Sequence, residues 1–502
     1  MKKRLLRSPS TKLRTLRSPS TLRQLADRSG LAMTDVVIIL LILQALINLI
    51  GALGPELSFD SLWYHLTLPK IYLQHKSLAV IPGGLLYYSG FPQLMEMIYG
   101  LALIFGNTIL AKIIHFSFGL GYILALYQLL KRFGRELALL GCLIFYSQLV
   151  VGWLCTTAYV DLARTFFEIL ALKFFLDWQQ LKKRKSLMLT GIMIGLAIST
   201  KLLAVYSLIT FGLLIVLLEK RKRIASILWL CLPSLLIILP WLIRSFIYTG
   251  NPVYPLLTTW FFKAQSNGLN LSDWLLSRQP INFIKVLLKT TFTTGDILSP
   301  IIIIGLPLIL FKIKRSKEVL VVGLYFLFSF LLFFLTPLND NRFLLPYLGG
   351  FIYLLLVVVS ALKAEEIGIK KIFYISVFLV ALLNLGSRGV SNKKFLAIIL
   401  DRQTKADFFG QYLNFEAGNF YDLDGWFKNN IKKDDKVLIM GVHNLYYVDF
   451  PFDHISWAKK GTYYSHILVQ NQSLPEIFGN LALLYENDKM KIKVYSFKEN
   501  LI

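Results

Sequence analysis

Runs of 15 to 20 apolar residues recur along this chain, and clusters of lysine and arginine stand between many of them. The first run, DVVIILLILQALINLIGAL at 35–53, is long enough to cross a bilayer. Backbone in hydrocarbon must satisfy its own hydrogen bonds, which leaves only helices and closed barrels. The runs are too long and too little alternated for barrel strands. The fold class is therefore an all-α polytopic membrane protein. Composition agrees: 55% of the 502 residues are hydrophobic, and mean hydropathy is +0.59.

The net charge of +25 would point to nucleic acid in a soluble protein. Here the positive residues fall in an N-terminal tail and in short loops between apolar runs, which is what membrane orientation demands. A basic tail inside and a first span at 35–53 leave 54–107 as a first extracytoplasmic loop. Within it, QLMEMIYGLALIF is short and reads as interfacial or re-entrant. Further spans are predicted at 108–130, 136–154, 161–178, 186–200, 203–218, 224–245, 297–311, 319–336, 344–362 and 372–386, about eleven in all. The tail and five short loops then place 27 of the 54 basic residues on the cytoplasmic side. Residues 1–34 read as a disordered basic tail in contact with anionic lipid. The expected location is the cell inner or plasma membrane, and no nucleic-acid partner is implied. Cys142, Cys155 and Cys231 lie in or beside apolar segments and read as buried hydrophobes, not as a disulfide or metal framework.

Residues 387–502 differ from the rest, with 15 basic and 13 acidic residues and no spanning run. KVLIMGV has the character of a buried strand, and the stretch 422–433 that of a helix. This part is expected to be a small extracytoplasmic α/β domain following a transmembrane domain at 35–386.

The same topology collects unusual residues at the outer face. Asp60 and His65 lie in ELSFDSLWYHLTLPK, directly after the first span. Asp161 lies in YVDL, Lys201 in STK, Arg244 just before YTGNPVYP, and Asp340 and Arg342 in LNDNRFLLP. Lys112 falls in the outer end of the second span. Ionisable side chains at membrane depth usually mark a site. A carboxylate can take a proton from a hydroxyl or hold a metal ion, and lysine and arginine can neutralise a phosphate. The pattern suits a transferase acting on a phosphate-bearing lipid. Each residue also has a plainer reading. Asp60 and Asp161 suit helix N-caps, Lys112 and Lys201 suit snorkelling, and Arg342 suits an interfacial anchor. His65 suits a packed histidine, and GNPVYP beside Arg244 suits a rigid turn.

In order and in side, these motifs resemble the GT-C superfamily of membrane glycosyltransferases, in the branch of the aminoarabinose transferase and the protein O-mannosyltransferases. The resemblance rests on FDSLWYHL, YVDL, STK at 199–201 and RFLLP at 342–346, and covers about 35–386. It implies inverting transfer of a sugar from a polyprenyl-phosphate donor to a lipid, glycan or protein acceptor at the outer face. It assigns the base to Asp60, a cation near the lipid phosphate to Lys112 and a further outer-face cation to Lys201. Beside these, the residues themselves offer Asp161 as a second catalytic candidate and Arg342 and Arg244 as lipid-phosphate ligands. The commonest pattern has a second acid after the first, and Ser61 stands there instead. A divalent metal would then need Asp161 or His65 beside Asp60. The rival reading is a transporter or flippase of a lipid-linked saccharide. Against it stand charges crowded at one face and no repeat between halves.

Overall fold

A computed structural model describes residues 19–257, 305, 309, 316–334 and 341–501. Among them, six helices are long and apolar enough to cross a membrane: Met33–Leu53, Thr108–Phe133, Arg223–Thr249, Lys317–Phe334, Arg342–Ala361 and Ile367–Asn392. Shorter helices pack between them. In chain order the helices are α1 (Pro19–Leu53), α2 (Thr67–His75), α3 (Leu94–Ile104), α4 (Thr108–Leu130), α5 (Arg135–Tyr146), α6 (Leu149–Leu154) and α7 (Asp161–Leu181). They continue as α8 (Arg184–Thr200), α9 (Val205–Leu218), α10 (Arg223–Thr249), α11 (Lys317–Phe334), α12 (Leu345–Ala361) and α13 (Ile367–Asn392).

Several expected boundaries move. Helix α1 begins at Pro19, so the expected structureless tail through residue 34 is corrected: helix already runs through its last part. Residues 1–18, all but residues 305 and 309 of the span at 297–311, and Asp340 lie outside the described residues. QLMEMIYGLALIF becomes α3, 11 residues long and too short to cross. The predicted span 136–154 is two helices, α5 and α6, separated where Gln148 turns extended (φ −61°, ψ 135°). A break of this kind frees backbone carbonyls, which must find partners inside the protein. Asn384 of α13 supplies one, donating from Nδ2 to the carbonyl of Ser147 at 2.8 Å.

Helices α8 and α10 approach closely because two small residues one turn apart, Gly191 and Gly195, face α10. A Cβ on Gly191 would sit 2.2 Å from the carbonyl oxygen of Leu230. Ser234 uses the same approach to donate to the Gly191 carbonyl at 2.9 Å. Small residues spaced four apart let helix backbones touch where lipid gives no hydrophobic drive.

The C-terminal part opens with α14 (Lys394–Ile399), α15 (Lys405–Tyr412) and α16 (Trp426–Asn430), and then forms a five-stranded sheet. Its strands are β1 (Val437–Met440), β2 (Phe452–His454), β3 (Tyr463–Gln470), β4 (Leu483–Asn487) and β5 (Ile492–Asn500), in the order β2-β1-β3-β5-β4. β1 pairs in parallel with both β2 and β3, while β5 runs antiparallel to β3 and β4. KVLIMGV does form the buried strand β1, as its apolar run predicts. The helix expected over 422–433 shrinks to five residues, 426–430.

One face of the sheet, with Ile439, Leu468 and Val494, shares a core with Leu62, Tyr64, Leu68 and Tyr72 of the first loop. The sheet is therefore packed onto the segment that carries Asp60. Lys70 fixes the joint. Its ammonium donates to the carbonyls of Tyr446 and Val448 at 2.6 and 2.8 Å, and to Asp449 Oδ1 at 2.6 Å. Burial lowers the Lys70 pKa below its usual value, and the charge of Asp449 opposes that shift.

Candidate functional site

Four of the residues singled out by the sequence come together. The Asp60 carboxylate pairs with Arg342 at 2.8 Å, and the Asp161 carboxylate pairs with Lys201 at 2.7 Å. The two pairs share one electrostatic neighbourhood. Arg342 acts on both Asp161 and Lys201, and Asp60 acts on Lys201. Phe343 lies between the two cations, with the Lys201 ammonium 4.5 Å and the Arg342 guanidinium 5.3 Å from its ring centre. The Tyr159 ring faces Arg342 at 4.9 Å, and its hydroxyl accepts the Asp60 N–H at 3.2 Å.

Helix ends create this convergence. Asp60 follows α1, Asp161 opens α7, Lys201 follows α8, and Arg342 lies in the 3-10 turn before α12. These are the ends opposite to the basic loops 131–135, 182–185, 220–223 and 363–371. Neither aspartate behaves as a cap. Asp60 stands at the N-cap position of a π-helical turn, Ser61–His65, yet makes no side-chain cap bond. Asp161 is the first residue of α7, and its side chain reaches Lys201. Both carboxylates give up the local bonds that would stabilise a helix start and pair across the fold instead.

The other three residues are placed elsewhere. Lys112 is fully buried and donates to the carbonyls of Gly51, Gly54 and Pro55 at 2.9, 2.7 and 3.2 Å. Its protons are directed at the C-terminal end of α1, where a cation complements the helix dipole. Arg244 donates to the Leu78 carbonyl at 2.7 Å and to the Tyr72 hydroxyl at 3.0 Å, tying α10 to the first loop. His65 is packed inside, with Nδ1 2.7 Å from Glu96 Oε1.

The sequence reading missed Glu56. Its Oε1 accepts from the amides of Leu57 and Ser58, and its Oε2 accepts from Ala158 at 2.7 Å. One buried carboxylate thus joins the loop before Asp60 to the loop before Asp161. Tyr159 and Phe343, the rings between the charges, were missed too. Nothing in pattern or spacing separates Glu56 from an ordinary loop acid, because the partner that joins the two loops, the Ala158 amide, is far away in the chain.

An aromatic wall rises beside Asp60. Tyr64 and Tyr88 stack at 3.9 Å and lie within the field of Asp60 and Arg342. Phe59 and Trp63 contact His443 of the C-terminal domain at 4.9 and 4.6 Å. Two cavities lie away from the charged cluster. One of about 360 Å³ is inside the C-terminal domain, next to Asp422 and Lys428. Another of about 630 Å³ separates that domain from the loop around Tyr72 and His75.

A metal at Asp60, Asp161 and His65 does not fit this arrangement. Each aspartate faces a protein cation, and the His65 nitrogen is turned to Glu96. Among the described residues no group of three His, Cys, Asp or Glu side chains is placed to hold an ion.

The structure of ArnT from Cupriavidus metallidurans bound to undecaprenyl phosphate superposes with a TM-score of 0.64 at 13% identity, covering 91% of this chain and 97% of that one. The fold is GT-C. The apo state of the same ArnT matches with a TM-score of 0.63 at 12% identity, over 93% and 98% of the two chains. The oligosaccharyltransferase AglB from Archaeoglobus fulgidus, in complex with an inhibitory peptide and a dolichol-phosphate, gives 0.48 at 12% identity, over 86% and 69%. The family model described as a domain of unknown function, DUF8201, matches residues 22–267. No curated protein matches the chain. The GT-C architecture expected from the four motifs is thus present, with its small C-terminal sheet, and six long apolar helices stand among the described residues where about eleven spans were expected.

Proposed function

We propose that this protein is a membrane glycosyltransferase that moves a sugar from a polyprenyl-phosphate donor to an acceptor hydroxyl. The reaction would take place at the membrane face opposite the basic loops, with the N-terminus cytoplasmic and the C-terminal domain outside. The observation that carries this reading is the paired arrangement of Asp60 with Arg342 and Asp161 with Lys201 at one end of the helix bundle. Support also comes from the GT-C fold and from the undecaprenyl phosphate bound in the ArnT structure.

The chemistry follows from the pairs. The acceptor oxygen attacks the anomeric carbon as the bond from that carbon to the phosphate oxygen breaks. The Asp60 carboxylate takes the hydroxyl proton, and polyprenyl phosphate leaves as an anion. Attack opposite to departure inverts the anomeric centre. Arg342 and Lys201 stabilise the charge that grows on the leaving phosphate, where fixed donors act most strongly. In the ground state Arg342 holds Asp60. A donor phosphate competes for that guanidinium and leaves the carboxylate oxygen to the hydroxyl. Asp161 keeps Lys201 charged and aimed. Lys112 has no part in the step, because its protons serve α1.

Purified protein should bind undecaprenyl phosphate, read as a rise in thermal midpoint. Arg342→Ala and Lys201→Ala should each weaken that binding by about 10-fold or more, the loss of a charge-assisted contact. Equal binding by the wild type and both variants would remove the cluster from the donor site. Movement of lipid-linked sugar across vesicles without release of polyprenyl phosphate would favour the carrier.

A further inference from the structure

A charged network is buried in the bundle below the cluster. Arg164 and Glu168 lie on α7, one and two turns past Asp161, and are 1% and 0% exposed. Arg164 Nε donates to Glu168 Oε1 at 2.6 Å, and its Nη2 donates to the Tyr347 hydroxyl at 3.0 Å. The Ser207 hydroxyl donates to Glu168 Oε2.

Each partner belongs to a helix that bears a site residue or begins a few residues after one. Ser207 is on α9, which begins just after Lys201. Tyr347 is in the first turn of α12, just after Arg342. Arg164 and Glu168 share α7 with Asp161. The network therefore links α7, which carries Asp161, to α9 and α12, which begin just after Lys201 and Arg342. At 1.5 Å of rise per residue, Arg164 lies about 4.5 Å and Glu168 about 10.5 Å along the axis from Asp161.

We propose that the Arg164–Glu168 pair is a positioning device that sets the axial register of α7, α9 and α12, so that Asp161, Lys201 and Arg342 meet at one phosphate. The proposal rests on the glycosyltransferase reading for its purpose. Directional hydrogen bonds from α7 to α9 and α12 fix their relative heights, which apolar packing among leucines does not, because leucine surfaces tolerate sliding by a fraction of a turn. A fully buried ion pair is a poor choice for stability alone, since an apolar pair of similar volume often packs as well or better. Register is the property that the apolar pair lacks.

That contrast supplies the test. The double variant Arg164→Leu/Glu168→Leu removes both charges together and leaves none unpaired. Two quantities are read on purified protein: the thermal midpoint, and the affinity for undecaprenyl phosphate. A third is the single-turnover rate of polyprenyl-phosphate release from a labelled polyprenyl-phosphate sugar. The expected result is a midpoint near that of the wild type, with affinity and rate both reduced. The rate should fall by about 100-fold, the effect of a displacement of about 1 Å at a reacting centre. A stable double variant with wild-type affinity and rate would overturn the proposal and leave the pair as packing.

If the double variant does not fold, Tyr347→Phe combined with Ser207→Ala frees α12 and α9 from the pair and keeps the pair itself. Lower affinity at an unchanged midpoint supports the device, and unchanged affinity overturns it. Absence of release by the wild type would sink the transferase reading, while the affinity comparison would still decide the register.

Discussion

Lys112 and Arg342 are cations of similar promise in the sequence and opposite use in the structure. Lys112 serves three carbonyls at the end of α1, and Arg342 serves the carboxylate of Asp60. Lys112→Met should therefore lower stability by about 3 kcal/mol, because buried carbonyls are left unpaired. The folded fraction should still bind undecaprenyl phosphate as the wild type does. Arg342→Ala should show the reverse, near-normal thermal unfolding with weak lipid binding. Parallel thermal and binding measurements on the two variants separate structural from functional cations. A drop in lipid affinity for Lys112→Met equal to that of Arg342→Ala would place Lys112 back at the phosphate. Sequence alone could not make this distinction. It shows that a lysine lies at the outer end of a helix, but not that the end of α1 lies within reach.

At the scale of elements, apolar length and basic loops were enough to find most helices. The limits of α7, α8, α10 and α11 fall close to their expected places. Hydropathy could not show the break between α5 and α6, because Ser147 and Gln148 are too few to interrupt an apolar run. At the break, Asn384 of α13 partners the Ser147 carbonyl. The close approach of α8 and α10 makes a sharper claim. Gly191→Val should force these helices apart, since even a Cβ would meet the Leu230 carbonyl at 2.2 Å. The expected outcome is a loss of about 2 kcal/mol or more from overpacking, seen as a lower thermal midpoint in detergent. Gly212→Ala on α9, where a Cβ meets nothing within 4 Å, should leave it unchanged. In the C-terminal domain, His454 of β2 takes the amide of Ser456 onto Nδ1 at 3.1 Å, a bond that needs the nitrogen unprotonated. Burial lowers its pKa to about 4 from 6.5, and the nearby His443 adds to the shift. The folded form thus binds fewer protons than the unfolded form between these values. The stabilisation is present above pH 6.5 and is lost as pH falls toward 4. Unfolding of this domain, followed by amide exchange at pH 7 and pH 5, should be easier at the lower pH. His454→Gln should reduce the difference.

For the whole molecule, the four charged residues were legible in the sequence as residues on one face, and their pairing was not. Asp60 and Arg342 are far apart along the chain, and only tertiary packing makes them neighbours. The resemblance in motif order carried the architecture further than periodicity could, while Glu56 and the Arg164–Glu168 pair remained invisible to both. The C-terminal domain is part of the same construction, since its sheet shares a core with the loop that carries Asp60 and Lys70 locks the joint. Lys70→Met should loosen that joint and speed limited proteolysis between the last long helix and the sheet, with α1–α13 left intact on a gel.

The central claim is that Asp60 takes the acceptor proton beside cations that hold a lipid phosphate. Single-turnover release of polyprenyl phosphate from a labelled polyprenyl-phosphate sugar, comparing the wild type with Asp60→Asn, tests it most directly. Asp60→Asn should bind the donor and release at least about 1000-fold less product, the upper part of the range for a lost general base. Release by Asp60→Asn at the rate of the wild type would contradict the account.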